Sequence, residues 1–262
     1  MAPLDSEGLG RDVIMGLRFY SRLPTGGSPH QTPNFARIAL ALPFTSLLIG
    51  IVPSLLLLAG SALGLPDLYV AFLAIGSAVL VSGAMTEDAL GDSADGLAGG
   101  QTPQKRLEIF KDSRLGTYGV TAIIIFMGLR VATLSALLAH GALPAITVWL
   151  AAIIVARSSA LWLTLALPTA RADGASASSG PVSKTSFLIG AGFAALLALI
   201  LAAPFTGIFG LVLCFAVIAA TAWAWSRMCL NLVGGQTGDL IGGLQAALEI
   251  VALSTFIIFV GS

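Results

Sequence analysis

The sequence predicts an all-α, polytopic integral membrane helical bundle of about seven transmembrane helices with a short amphipathic N-terminal segment. Three observations carry that expectation. Mean hydropathy is +0.94, and 56% of the 262 residues are hydrophobic. Only 10% are charged, against about 25% in soluble domains, so a soluble monomer could not cover itself with polar groups. The charges are also clustered, leaving charge-free runs at 38–66, 68–86, 115–129, 131–156, 158–170, 185–226 and 250–262. An ordinary soluble enzyme and a disordered chain are excluded. Zero net charge offers no field to attract nucleic acid.

The elements follow in order. Residues 1–36 are polar and expected in the cytoplasm. Within them, 9–23 alternate Leu9, Val13, Ile14 and Leu17 with Arg11, Arg18 and Arg22, a pattern open to an interfacial helix or a plain polar leader. A cleavable signal peptide is not expected, because apolar sequence begins only after residue 37 and Asp5, Glu7 and Asp12 precede it. A span needs about 20 apolar residues, which places helices at 38–63, 68–86, 119–139, 143–168, 185–203, 205–226 and 240–260. Pro204 divides the longest run into two spans. The Ser/Ala/Gly-rich stretch 172–186 reads as a loop. The whole chain, 1–262, is expected to form a single membrane-embedded domain. Cys214 and Cys229 form no disulfide framework, and Cys214 in its apolar run reads as a small hydrophobe.

The cations orient this bundle. Arg11, Arg18, Arg22, Arg37, Lys105, Arg106, Lys111, Arg114, Arg171, Lys184 and Arg227 all fall on one side, and the opposite connections near 64–67, 140–142 and 204 hold none. That asymmetry predicts a cytoplasmic N-terminus in an inner, cytoplasmic membrane. Arg130, Arg157 and Glu249 fall inside spans, where each needs a partner or a wet cavity. Arg130 and Glu249 suit a structural pair. The helix of Arg157 heads for the cytoplasmic loop, which makes it the better substrate candidate.

Between the second and third spans lies a 33-residue segment, 86–118, expected to supply the active-site loop and helix ends. Glu87, Asp88, Asp92 and Asp95 are four of the thirteen acids, and they fall within nine residues. If the second helix continues, Asp88, Asp92 and Asp95 share one face and Glu87 points about 100° away. Like charges so close destabilise a helix, and a divalent cation removes that cost. Mg²⁺ suits carboxylate oxygens and bridges phosphates. Gly91, Gly96, Gly99 and Gly100 are expected to let a ligand approach the backbone. The following string, Lys111-Asp112-Ser113-Arg114-Leu115-Gly116-Thr117-Tyr118-Gly119, sets Lys111 and Arg114 beside the acids, as a diphosphate requires. A last polar block, Gly234-Gly235-Gln236-Thr237-Gly238-Asp239, could bind phosphate or metal through Thr237 and Asp239, or simply turn and cap a helix.

Together these strings resemble the cobalamin synthase family, the adenosylcobinamide-GDP ribazoletransferases of adenosylcobalamin (vitamin B12) biosynthesis. Four blocks carry the resemblance: Arg22-Leu23-Pro24; Glu87-Asp88 with Asp92 and Asp95-Gly96; Lys111 to Gly119; and Gly234 to Asp239 with Gly242 and Glu249. Arg157, Pro168, Arg171 and Gly174 also fit. Two departures stand out: Thr86 where many members have His, and Asp88-Ala89-Leu90-Gly91-Asp92 where many have Asp-Gly-Leu-Ala-Asp.

The resemblance implies a Mg²⁺-dependent transferase at the cytoplasmic face that joins adenosylcobinamide-GDP to α-ribazole or its 5′-phosphate and releases GMP. It implies metal binding by Glu87, Asp88, Asp92 and Asp95, with Asp92, Asp95 and Asp239 catalytic. Lys111, Arg114, Arg157, Arg171 and Thr237 would contact substrate. The lipid bilayer is the implied environment, and a homo-oligomer or association with other cobalamin-assembly enzymes is in keeping with it. The alternatives are a CDP-alcohol phosphotransferase, an intramembrane prenyltransferase or a transporter. Asp95-Gly96 lacks the Ala-Arg that follows in the first, Asp239 is isolated where the second repeats its aspartate motif, and no paired halves support the third.

Overall fold

The computed structural model describes residues 6–26, 34–112, 114–171 and 182–261. Ser113, Gly174 and most of the expected loop 172–186 lie outside the described residues. Every regular element among the described residues is helical: α1 (Ser6–Tyr20), α2 (Phe35–Ile49), α3 (Ile51–Ala62), α4 (Asp67–Ser82), α5 (Met85–Gly99), α6 (Pro103–Ile109), α7 (Thr117–Leu138), α8 (Ala142–Ala160), α9 (Trp162–Ala166), α10 (Lys184–Leu201), α11 (Ala203–Val233) and α12 (Gly238–Ile257).

Six stretches are long and apolar enough to cross a membrane: Arg37–Ala62, Thr117–Leu138, Ala142–Ala166, Lys184–Leu201, Ala203–Val233 and Gly238–Ile257. α4 passes that test only together with α5, from which it is bent by 85°, so the number of spans is six, or seven where that bent pair is taken as one. That range includes the expected seven. α11 extends beyond its expected end at 226 to Val233, so Arg227 is helical rather than following the span. The Ala142–Ala166 stretch, α8 with α9, sits at the centre and is the most buried of these, and α12 follows. Trp149, Ile154, Leu244, Leu248 and Phe256 belong to the main core. Outward-facing Leu55, Phe72, Ile124, Phe209 and Trp223 are exposed, as expected of side chains that meet lipid tails.

The principal departure from expectation is at the end of the second span. α4 stops at Gly83 (φ +65°), and Ala84 follows at φ +58°, the one non-glycine residue at positive φ among those described. Two successive left-handed residues reverse the chain locally, and α5 leaves α4 at 85°. The acidic helix is thus a separate, inset element, not an extension of the second span. It packs against α12 and α7 and runs antiparallel to both, from Glu87 beside Arg130 and Glu249 to Asp95 beside Gly116 and Gly119. At 1.5 Å per residue, Arg130 lies about 20 Å along α7 from its start.

Glycines on α12 permit this packing. A β-carbon at Gly242 would strike Ala89, and one at Gly243 would strike Ser93. On the other side of α5, Gly91 lies against Leu115 and Ile123, and Gly96 against the Phe110 ring. The glycines expected to admit a ligand therefore admit neighbouring side chains instead.

Candidate active site

The carboxylates of α5 diverge along its length. Glu87, expected to bind metal, faces α7 and α12. Its Oε1 accepts from an Arg130 terminal nitrogen at 2.8 Å, and Arg130 Nε donates to Glu249 Oε1 at 2.8 Å. All three side chains are buried. The expected Arg130–Glu249 pair is present and is joined by Glu87. Arg157 lies close enough to feel both acids electrostatically, so two carboxylates and two guanidiniums balance within the bundle. Such a group is costly to bury, but removing one member leaves a worse uncompensated charge.

Asp95, at the other end of α5, has protein partners as well. Its Oδ2 accepts from the Gly116 amide at 2.6 Å and its Oδ1 from the Gly119 amide at 2.9 Å. It thereby caps α7, where unpaired amides and the helix dipole favour a carboxylate. A β-carbon at Gly119 would collide with Asp95. The Gly-Thr-Tyr-Gly string is thus the receiving half of this cap. Arg114 is exposed and paired bidentately with Asp112, at 3.0 and 2.8 Å. Its hydrogen bonds hold the Asp112 carboxyl down at about 2. Lys111 is exposed on the same connection. No contact brings Arg114 to the α5 carboxylates.

Asp88 and Asp92 turn toward α12. Asp92 is half-buried and stands within electrostatic range of Asp88, Asp95 and Asp239, with Arg171 as the opposing cation. Asp239 reaches this position by two backbone devices. Pro168 to Ala170 and Gln236 exchange hydrogen bonds of 2.9 Å as an isolated parallel bridge, and Gly235 fits there because a β-carbon would meet the Pro168 carbonyl. That bridge sets Arg171 against Asp239, at 3.3 Å. Ser93 then donates to the Asp239 carbonyl at 2.8 Å, fixing α5 to the start of α12. Thr237, expected to touch substrate, is buried and caps α12 by accepting from the Leu240 amide at 3.3 Å.

A cavity of about 190 Å³ opens beside Asp88 and Asp239. Arg157 lines it, with a terminal nitrogen 3.3 Å from Ser46 Oγ and its guanidinium 5.3 Å from the Tyr20 ring centroid. Gln245 lines it too, donating at 3.0 Å to Thr86 Oγ1. Phe19, Tyr20 and Ile241 give it apolar walls. Sequence reading missed Phe19, Tyr20 and Gln245. The spacing of Asp239, Gly242, Gln245 and Glu249 on one face of α12 was the available signal.

Donor type decides whether Mg²⁺ suits this arrangement. Asp88, Asp92 and Asp239 offer hard oxygen donors, and one arginine leaves the group net negative. Among the described residues no three such side chains are already converged on one point. An ion that keeps several waters and shares its shell with phosphates fits that open spacing better than one needing a full protein cage.

The chain resembles known proteins along nearly all its length. The family model described as cobalamin-5-phosphate synthase matches residues 12–257. A protein of Azorhizobium caulinodans named adenosylcobinamide-GDP ribazoletransferase is 39% identical over 95% of this chain and 96% of its own. Its namesake in Xanthobacter autotrophicus is 41% identical, covering 97% and 98%. That of Brucella canis is 34% identical, covering 95% and 97%. No solved structure matches.

Proposed function

Because the chain belongs to the cobalamin-5-phosphate synthase family, we propose that the carboxylates of α5 and α12, with Arg171, carry out the family's phosphoryl transfer. The chain acts in nucleotide-loop assembly of cobalamin. The reaction joins the adenosylcobinamide-phosphate moiety of adenosylcobinamide-GDP to α-ribazole or α-ribazole 5′-phosphate and releases GMP. The observation that carries the assignment is the meeting of Asp88 and Asp92 with Arg171 and with Asp239, which lies about 150 residues further along the chain.

A ribose hydroxyl oxygen of the acceptor forms a bond to the phosphorus next to cobinamide. The bond from that phosphorus to the bridging oxygen breaks, and GMP leaves with the bridging oxygen and its electron pair. The hydroxyl proton passes to a carboxylate, for which Asp239, held by Arg171 and Thr237, is the residue we assign. Attacking and leaving oxygens must lie in line, and the fixed start of α12 against α5 provides a rigid platform for that alignment. Asp88 and Asp92 would hold Mg²⁺, which when bound neutralises diphosphate charge. Arg171 and Arg157 complement the remaining phosphate oxygens. Lys111 and the exposed Arg114 lie on the connection before α7, where Arg114 can exchange Asp112 for phosphate.

The gathered cations and the open side of the site support a cytoplasmic orientation in the inner membrane. Assaying the detergent-purified chain with adenosylcobinamide-GDP, a CDP-alcohol and a prenyl diphosphate tests the assignment. GMP release from the first alone is expected, and turnover of either other donor in its place would overturn it.

A further inference from the structure

A second basin, of about 700 Å³, adjoins the small cavity beside Asp88. Asp88, Phe19 and Met85 line both spaces, so the carboxylate stands at their junction. The first space has an apolar side formed by Phe19, Tyr20, Met85 and Ile241 and a polar side that carries Arg157, Asp239 and Gln245. The second basin is polar, formed by Arg18, Arg22, Ser21 and Thr25 against the backbone of the α4–α5 break.

The second basin is built by specific contacts. Arg18 donates from Nε to Thr25 Oγ1 and from a terminal nitrogen to the Thr25 carbonyl, both at 3.0 Å. These bonds fold residues 21–26 over the end of α1. The Arg22 amide donates to the Val81 carbonyl at 2.7 Å, and the Arg22 side chain lies on Gly83, where a β-carbon would strike it. Neither arginine forms an ion pair with a carboxylate among the described residues. Membrane anchoring accounts for cations on this side, but not for two of them turned into a basin that ends at an active-site carboxylate.

We propose that Arg18 and Arg22 form a phosphate subsite for the acceptor, receiving the 5′-phosphate of α-ribazole 5′-phosphate. The inference rests on the functional reading above. The acceptor has a flat apolar base at one end, ribose hydroxyls in the middle and a phosphate at the other end. Those parts match, in order, the apolar side of the first cavity, Asp88 where the two spaces adjoin, and the two-arginine basin. Guanidinium groups recognise phosphate dianions through paired, charge-assisted hydrogen bonds.

Steady-state GMP release by wild type, Arg22→Gln and Arg18→Gln tests this, with α-ribazole and α-ribazole 5′-phosphate as alternative acceptors in neutral-lipid vesicles and again in vesicles containing anionic phospholipid. The expected result for Arg22→Gln is a KM for α-ribazole 5′-phosphate raised at least tenfold. Its KM for α-ribazole and for adenosylcobinamide-GDP should stay within twofold of wild type, in both lipids. Arg18→Gln, which also releases Thr25, should show the same acceptor selectivity. Unchanged KM for the phosphorylated acceptor in Arg22→Gln would overturn the proposal. So would an equal rise for both acceptors, a rise for adenosylcobinamide-GDP alone, or an effect seen only with anionic lipid, the mark of a headgroup site. Failure of wild type to release GMP with either acceptor would instead overturn the functional reading, so the two failures are distinguishable.

Discussion

Asp95 shows how one carboxylate type serves two purposes on one helix. It shares a face of α5 with Asp88 and Asp92 by sequence spacing, yet both its oxygens accept amides at the start of α7. Asp95→Ala is therefore expected to lower stability by about 1–2 kcal/mol, the range for a lost N-terminal cap, and to leave measurable GMP release while folded. Thermal unfolding in detergent and activity at a permissive temperature check this. Loss of activity in the folded variant as complete as in Asp92→Asn would return Asp95 to the catalytic set. The spacing made the shared face legible in the sequence. What divides the acids, namely the Gly116 and Gly119 amides facing one of them, arises from a contact between helices and has no signal in local spacing.

At the scale of elements, the decisive feature is the inset of α5. Its inner end is tied by Glu87 to Arg130 and through it to Glu249, and its outer end by Ser93 to the start of α12. Arg130→Gln would leave two buried carboxylates without their shared cation, and a loss of about 3–5 kcal/mol is expected. Adding Glu87→Gln and Glu249→Gln should recover much of it, because neutral amides remove the unpaired charge. Thermal melts of the single and triple variants measure this, and equal stability of wild type and Arg130→Gln would show that the triad does not hold α5. The sequence foretold most helices to within a few residues because long apolar runs and charge boundaries set them. It did not foretell the 85° turn between α4 and α5, since helical periodicity continues on both sides of Gly83 and Ala84. Only the left-handed backbone at those two residues marks the break.

For the whole molecule, scarce charge is distributed with purpose. Arg130, Glu249 and Glu87 pair in the interior, Asp95 joins helices, and Asp88, Asp92, Asp239 and Arg171 are the charges we propose for the chemistry. Their association was legible only in part: the α5 acids announce themselves as a cluster, whereas Asp239 and Arg171 meet them through the bridge between Thr169 and Gln236. Charge asymmetry is what supports the proposed orientation, and family resemblance gave the reaction, neither of which spacing alone supplies. We propose that Asp92 belongs to a Mg²⁺-dependent phosphoryl-transfer site. The most direct test is GMP release from adenosylcobinamide-GDP and α-ribazole 5′-phosphate by wild type and Asp92→Asn, each with Mg²⁺ and after chelation. Wild type should lose activity on chelation and recover it with added Mg²⁺. Asp92→Asn, folded to the same melting behaviour, should turn over about 100-fold or more slowly, the scale of removing one electrostatic contributor. Wild-type rates in chelator, or near-wild-type rates in Asp92→Asn, would rule out that site.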